Sequence, residues 1–169
     1  VSEKSLDSSL AAVMARLSEA DSMLLITHAR PDGDGLGSMQ ALATAAQGVG
    51  KDARMLVPGE IPARLGFMFD HRNLAKLDEF TALAQSSDLI VILDTHALAQ
   101  LDELAETIGN FYDKIVIVDH HATGDPLSET VWIDTTAAAT GVMVGELIDS
   151  LDWHMDASIA EALLTSVMT

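Results

Sequence analysis

The chain has 169 residues, of which 49% are hydrophobic and 21% charged, and this length and composition suit one domain with a sizeable core. Its formal net charge of −17 argues against a nucleic-acid interface built from basic side chains, so we expect no binding of long duplex nucleic acid. The absence of cysteine excludes disulfides and thiolate metal sites, and no apolar stretch is long enough to cross a bilayer, so we expect a cytoplasmic protein with no membrane partner.

Apolar runs alternate along the chain with segments of helical periodicity. In chain order, the first half of the sequence predicts a helix that carries Leu10, Val13, Met14 and Leu17 and is capped by Ser5 or Asp7. A strand over 23–27, a helix from about 39 to 47 and a strand over 52–57 follow. A short helix over 61–69 and an ambiguous segment over 74–83 complete this half. The second half predicts a strand over 89–93, a helix over 97–108, strands over 115–118 and 130–133, and helices over 138–151 and 157–167. Buried strands that alternate with helices predict a doubly wound α/β domain, with a mainly parallel sheet and helices on both faces.

Residues 28–38 read His-Ala-Arg-Pro-Asp-Gly-Asp-Gly-Leu-Gly-Ser and join the first predicted strand to the next helix. One imidazole, of His28, and two carboxylates, of Asp32 and Asp34, therefore crowd into a strand-to-helix turn, where we expect the glycines to let the backbone bend tightly. Oxygen and imidazole ligands of this kind suit hard or borderline divalent cations. The segment therefore predicts a metal site.

Two later strands end in the same kinds of side chain. Because the carboxyl ends of parallel strands share one edge of a sheet, we expect these groups to converge on segment 28–38, although about 90 residues separate the first from the last. Helix capping explains one aspartate after a strand, but not three such strand ends together. The set suits two adjacent divalent ions that share a bridging carboxylate. Its members are His28, Asp32, Asp34, Asp94, His120 and His121.

In these motifs the sequence resembles the DHH phosphoesterase family, whose name comes from the triplet found here as Asp119-His120-His121. Segment 28–38 matches the family's first motif, Asp94 its second, and residues 119–123 its third. The resemblance covers nearly the whole chain. The family includes family II pyrophosphatases, exopolyphosphatases, RecJ-type exonucleases, cyclic-dinucleotide phosphodiesterases, and oligoribonucleases that also cleave 3′-phosphoadenosine 5′-phosphate.

The resemblance implies a role for each metal ligand. His28 and Asp32 would hold one ion, Asp34 and His120 would hold the other, and Asp94 would bridge them. Mn²⁺ is the family's usual ion, with Mg²⁺ and Co²⁺ as alternatives, and the oxygen and imidazole ligands agree with this choice. A water activated by both ions would attack phosphorus in line.

The resemblance also implies two catalytic residues. His121 would face the substrate phosphate or the leaving oxygen, and Asp119 would orient a neighbouring ligand rather than bind metal. Arg30, inside the first motif, is a candidate phosphate contact, with an exposed loop arginine as the equal alternative. His96 is expected to lie beside the site or to face solvent rather than to bind metal.

Three features depart from the family's pattern. Residues 160–169 resemble the helix that precedes the fourth motif, and that motif's ligand aspartate would come directly after Thr169. We expect residues 1–169 to lack the family's C-terminal substrate-binding domain. In segment 135–141 alanines replace the usual serines, and we expect Thr136 or Thr140 to cap a helix rather than to contact substrate. We therefore expect residues 1–169 to be the DHH-type catalytic domain of a longer protein, with weak metal binding and little or no turnover by itself.

The function we predict is that of a metal-dependent phosphoesterase, which hydrolyses phosphodiester or phosphomonoester bonds of short oligonucleotides or nucleotides. Residues 36–38, which end the first motif, and residues 119–123 favour the oligoribonuclease-like branch of the family. A pyrophosphatase or exopolyphosphatase is the alternative enzyme, and a non-catalytic nucleotide-binding regulatory domain is the alternative from another class. The sequence leaves the oligomeric state open, with a homodimer as one alternative.

Overall fold

The computed structural model describes residues 8–69 and 73–169, and within these ranges six parallel strands form one sheet. The strands are β1 (Ser22–Ile26), β2 (Asp52–Leu56), β3 (Leu74–Ala75), β4 (Leu89–Leu93), β5 (Ile115–Asp119) and β6 (Val131–Ile133). They lie side by side in the order β3-β2-β1-β4-β5-β6. The winding direction reverses between β1 and β4, and open α/β sheets place their sites at the carboxyl ends of strands at such a point.

Helices cover both faces of the sheet. They are α1 (Ser8–Glu19), α2 (Gly33–Gly48), α3 (Phe80–Ser86), α4 (Thr140–Ser150) and α5 (Ala157–Met168). Because successive strand residues point to opposite faces, Met23 and Leu25 of β1 pack with α1, α2, α4 and α5. Leu24 and Ile26 pack on the other face, with α3 and the turns that follow β4. The predicted doubly wound α/β fold is confirmed.

The first motif differs from its prediction, because α2 begins at Gly33 and Asp34 lies inside the helix rather than in a preceding turn. The Asp32 carboxylate accepts hydrogen bonds from the N–H groups of Asp34 (3.0 Å) and Gly35 (3.2 Å), which satisfies free donors at the helix start. The glycines serve close packing instead of a bend. A Cβ built on Gly37 would lie 2.4 Å from the carbonyl oxygen of Ala162 in α5.

The segment after β4 also differs, because the predicted helix over 97–108 is a set of 3₁₀ turns over Leu98–Glu106. The turns are interrupted at Asp102, whose φ of 49° and ψ of −122° are not helical. The N–H of Ala29 donates to the carbonyl oxygen of Gln100 at 2.8 Å, so this segment is tied to the first motif. This backbone hydrogen bond holds the segment Leu98–Glu106 against the first motif.

The remaining predicted elements lie close to observed ones. Segment 61–69 forms a 3₁₀ turn over Ala63–Met68, and the ambiguous segment 74–83 divides into β3, a 3₁₀ turn over Leu77–Glu79 and the start of α3. The predicted caps Ser5 and Asp7 lie outside the described residues. Among the described helices, none has the length and apolar character that crossing a membrane requires.

Candidate metal centre

The ends of β1, β4 and β5 bring the predicted ligands to one rim of the sheet. His28 Nε2 lies 3.4 Å from Asp94 Oδ2 and 3.8 Å from Asp32 Oδ1. His120 Nε2 lies 3.7 Å from the other oxygen of Asp94, Oδ1. Two ligand atoms that each lie about 2.1 Å from one ion, at right angles, are about 3 Å apart. The distances of 3.4–3.8 Å between these side-chain atoms are therefore close to the spacing of ligands around a cation.

Asp94 belongs to two groups of potential ligands. One group is His28, Asp32 and Asp94, and the other is Asp94, His120 and His121. Within each group the ligand atoms all lie within 4.8 Å of one another. The donor set of carboxylate oxygens and imidazole nitrogens therefore fits two divalent cations on either side of Asp94.

The backbone turns sharply at Asp94, directly after β4. Its φ of 64° lies in the left-handed region, which aspartate tolerates better than most residues with a Cβ. Its N–H donates to the carbonyl oxygen of Val118 at 3.1 Å, which fixes this turn against β5. The side chain is only 2% exposed, so a buried carboxylate stands at the centre of the site.

The site is strongly coupled electrostatically. The neighbouring carboxylates of Asp32 and Asp94 raise the pKa of His28 to about 9, and His28 in turn lowers the pKa of Asp32 to about 2. Burial raises the pKa of Asp94, and the nearby negative charge of Asp34 adds to this effect. Without a cation, a protonated His28 therefore compensates the carboxylates at neutral pH.

Cation binding should therefore release a proton from His28. Because the pKa of His28 is about 9, the apparent Mn²⁺ affinity should rise with pH, by about tenfold per unit for one displaced proton, and level off above that value. The metal-free protein should respond in the opposite sense. A raised histidine pKa stabilises the fold below the ordinary value of 6.5, and that contribution is lost as the pH rises towards 9.

Isothermal titration calorimetry at neutral pH, in two buffers of different ionisation enthalpy, measures the released proton directly. The variant His28→Asn carries no such proton and should show a smaller release. An Mn²⁺ affinity that does not change between pH 6.5 and about 8.5 would contradict the assignment of His28 as a ligand.

Asp34, the predicted partner of His120, has a second task. Its Oδ2 lies 3.4 Å from His120 Nε2, and it also accepts the N–H of Thr140 at 2.9 Å. Its Oδ1 accepts the N–H of Gly141 at 3.0 Å and the hydroxyl of Ser166 at 2.7 Å. Asp34 therefore caps the start of α4, and since a carboxylate oxygen can accept more than one bond, Oδ2 keeps capacity for a cation beside His120.

Asp119 lies behind the ligands and is fully buried. Its Oδ1 accepts the N–H of His120 (2.8 Å), the N–H of His121 (3.2 Å) and the His121 Nδ1 (2.7 Å). Burial alone would raise the pKa of Asp119, but the hydrogen bonds from His121 and His96 outweigh it and lower that pKa. An ionised Asp119 thus holds the imidazole of His121, whose side chain is about half exposed at 49%.

Comparison with known proteins identifies the family to which this site belongs. Residues 22–169 match the model of the DHH family, N-terminal domain. The chain belongs to the DHH family. The resemblance of its three motifs is thereby confirmed.

Individual relatives agree with this assignment. The chain is 34% identical over 149 residues to the bifunctional oligoribonuclease and PAP phosphatase NrnA of Thermus thermophilus, an alignment that covers 86% of this chain and 42% of NrnA. An exopolyphosphatase-related protein from Bacteroides fragilis shares the fold with a TM-score of 0.87 and 22% identity, over 95% of this chain and 49% of that one. RecJ of Thermus thermophilus, solved in complex with Mn²⁺, has a TM-score of 0.58 and 18% identity, over 95% and 24%. The chain spans less than half the length of the curated relatives that it matches first.

Three hydroxyls of this DHH domain contact the candidate ligands, and none of these contacts is predicted from the sequence. Thr140 Oγ1 donates to Asp94 Oδ1 at 2.9 Å. Ser166 Oγ and Ser38 Oγ both donate to Asp34 Oδ1, at 2.7 and 3.3 Å. The prediction that Thr136 or Thr140 caps this helix is wrong, because the cap position of α4 is Ala139 and Asp34 supplies the capping acceptor. The position of Thr140 in the family's Ser/Thr-rich stretch was the available signal.

Removing the Thr140 hydroxyl tests how strongly it orients Asp94. Thr140→Val keeps the shape of the side chain but removes the donor, so Mn²⁺ affinity should fall by about 10- to 100-fold, the usual effect of losing a partner that orients a ligand. Thr136→Val is the matched control, because Thr136 is exposed and its hydroxyl donates to Asp134 instead. Equal Mn²⁺ affinities of the two variants in calorimetry would contradict the role of Thr140.

A cavity of about 470 Å³ opens beside the ligands. The residues that line it include the candidate ligands His28 and Asp94 together with His121, Arg30 and Asp102. Arg30 is also exposed to solvent. His96 does not line this cavity and is buried behind Asp119, rather than facing solvent.

Proposed function

We propose that this chain is the catalytic domain of a metal-dependent phosphoesterase that hydrolyses phosphodiester or phosphomonoester bonds of short oligonucleotides or nucleotides. The observation that carries the proposal is the position of Asp94. Its Oδ2 lies beside His28, which forms a ligand group with Asp32, and its Oδ1 lies beside His120 and His121, so groups from distant parts of the chain meet at this carboxylate. Such a pair of groups is suited to two cations that act on one phosphate.

The proposed ligands of the first ion are His28, Asp32 and Asp94, and those of the second are Asp94, Asp34 and His120. When bound, two divalent ions, for which we propose Mn²⁺ with Mg²⁺ or Co²⁺ as alternatives, would lower the pKa of a water nucleophile and neutralise phosphate oxygens. Asp34 holds its position by capping α4, so this ligand is already oriented before binding.

His121 is proposed as the residue that contacts the phosphate or the leaving oxygen. Its Nδ1 donates to Asp119, so Nε2 is the nitrogen left to serve the cavity that His121 lines. Burial lowers the pKa of His121, but the hydrogen bond to Asp119 and the charges around it outweigh this and raise that pKa. An imidazolium with a proton at Nε2 can give that proton to a leaving oxygen.

The cavity supports a nucleotide as the substrate class. Its volume of about 470 Å³ lies within the range of about 300–1,000 Å³ that is typical of sites for small organic ligands. Arg30 offers a guanidinium for a phosphate, and Asp102 offers an acceptor for hydroxyl or amino groups of a nucleoside. The net charge of −17 disfavours long duplexes but is compatible with a short, cation-bridged substrate.

The test uses the protein in its full natural length, first freed of metal with a chelator and then supplied with Mn²⁺. A ribodinucleotide, 3′-phosphoadenosine 5′-phosphate, a cyclic dinucleotide and pyrophosphate are compared as substrates. We expect Mn²⁺-dependent hydrolysis of the ribodinucleotide or of 3′-phosphoadenosine 5′-phosphate, at the highest kcat/KM of the set. A preference for pyrophosphate would replace the proposal with a pyrophosphatase, and saturable Mn²⁺ binding without any hydrolysis would replace it with a regulatory domain.

The proposed partners are accordingly a phosphate-containing small molecule or a short oligonucleotide. The cytoplasmic location stays a prediction from the sequence, and the oligomeric state stays open, with a homodimer as one alternative.

A further inference from the structure

We infer that His96 is a positioning residue, which holds the Asp119 carboxylate in the one orientation that lets it fix the imidazole of His121. The structural part of this inference stands on contacts alone, and its catalytic part rests on the proposed function.

The contacts form a continuous line from the core to the cavity. His96 Nδ1 donates to Asp119 Oδ2, and His121 Nδ1 donates to Asp119 Oδ1 at 2.7 Å. The two backbone N–H groups that follow Asp119 also bond to Oδ1. Oδ1 is thus shared by three donors, while among the described residues His96 supplies the donor to Oδ2. With both oxygens held, the carboxylate cannot rotate about its Cβ–Cγ bond without losing hydrogen bonds in a buried site.

His96 is itself held in place by its surroundings. It is 6% exposed, and a Cβ built on Gly124 would lie 2.1 Å from its Cδ2 and 2.3 Å from its Nε2. The backbone of Gly124 therefore packs directly on the edge of the ring that carries Nε2. Leu98 and Leu127 line the small space beside it. With Nδ1 on Asp119 and Nε2 against the Gly124 backbone, His96 belongs to neither candidate cation group, so it acts through Asp119 rather than as a ligand.

The consequence concerns the tautomer of His121. An imidazole that donates from Nδ1 to a fixed, ionised carboxylate keeps its proton there and presents Nε2 on the opposite side of the ring. If Asp119 could turn, Nδ1 of His121 would lose its acceptor and the proton could occupy either nitrogen. His96 therefore determines which nitrogen of His121 serves the cavity.

The first experiment needs no substrate. Histidine side chains of the full-length, metal-free protein are labelled with ¹⁵N, and the tautomer of His121 is read by NMR at a pH where it is neutral. We expect the Nδ1–H tautomer in the native protein and in His96→Asn, because the Asn amide can donate from nearly the position of the His Nδ1. In His96→Leu we expect a mixture of tautomers. An unchanged His121 tautomer in a folded His96→Leu protein would overturn the inference.

The second experiment separates positioning from metal binding. In His96→Leu we expect kcat to fall by at least about tenfold while KM and Mn²⁺ affinity change less than twofold, with most of kcat restored in His96→Asn. If His96→Leu does not fold, Gly124→Ala displaces the ring instead, with Gly109→Ala as its control because a Cβ there meets nothing within 4 Å. A loss of Mn²⁺ affinity in both His96 variants would overturn the inference in favour of a ligand role. Should the full-length protein hydrolyse no substrate, the proposed function fails, and the tautomer still decides the role of His96.

Discussion

Replacing Asp94 with asparagine should lower kcat/KM of the full-length protein by at least about a thousandfold. Both ligand groups include this carboxylate, so the substitution removes one negative charge from each. Cations at such a site contribute several kcal/mol to stabilising the transition state, and about 4 kcal/mol corresponds to a factor of about 10³ in rate. Steady-state kinetics with a ribodinucleotide, together with Mn²⁺ calorimetry, measure the loss.

Stability distinguishes this loss from unfolding. Asparagine has the size of aspartate, and its oxygen can still accept the hydroxyl of Thr140. Because burial raises the pKa of Asp94, its ionised form is costly in the metal-free protein, so Asp94→Asn should melt at the same temperature or higher. Glu103→Gln, an exposed acid in the segment after β4, is the control and should retain native kinetics. A fall in kcat/KM of less than about tenfold would contradict a shared ligand role for Asp94.

The second large effect concerns the packing of α2 on α5. Gly37→Ala should lower the free energy of unfolding by about 2–3 kcal/mol, because the added methyl would lie 2.4 Å from Ala162 O and 2.9 Å from Ser166 Cβ. A backbone oxygen cannot move aside without moving α5. Since Ser166 bonds to Asp34, the shift should also weaken binding of the second Mn²⁺ ion, for which Asp34 is a proposed ligand.

Gly48→Ala offers the same change on the same helix without the clash. A Cβ at Gly48 meets nothing within 4 Å, and alanine favours helix over glycine by about 1 kcal/mol, so this variant should be as stable as the native protein or slightly more so. Chemical denaturation of both variants measures the difference. Equal stabilities of the two variants would contradict the close packing of α2 on α5 at Gly37.

The convergence of the ligands could be predicted from sequence, because it depends on a local and repeated pattern. Buried apolar runs end at Ile26, Leu93 and Val118, and each is followed within two residues by histidine or aspartate. Parallel topology then brings those strand ends together. The confirmed fold class rests on the same runs.

Contacts between distant segments could not be predicted in this way. Nothing in the local pattern around Asp34 indicates that it caps a helix beginning at Thr140, because the acceptor and the donors are far apart in the chain. The glycines of the first motif were predicted to allow a bend, whereas Gly37 permits close contact with α5, and that contact exists only after folding. The roles of Thr140 and Ser166 were missed for the same reason, since a hydroxyl carries no signal of its partner.

The most direct test is anomalous X-ray diffraction from crystals of the full-length protein grown with Mn²⁺. Two anomalous peaks about 3.5–4 Å apart are predicted, with one carboxylate oxygen of Asp94 or both bound to the pair and His28 and His120 on opposite sides. A single peak, or a pair of peaks that does not have Asp94 as a common ligand, would contradict the two-cation site proposed for this domain.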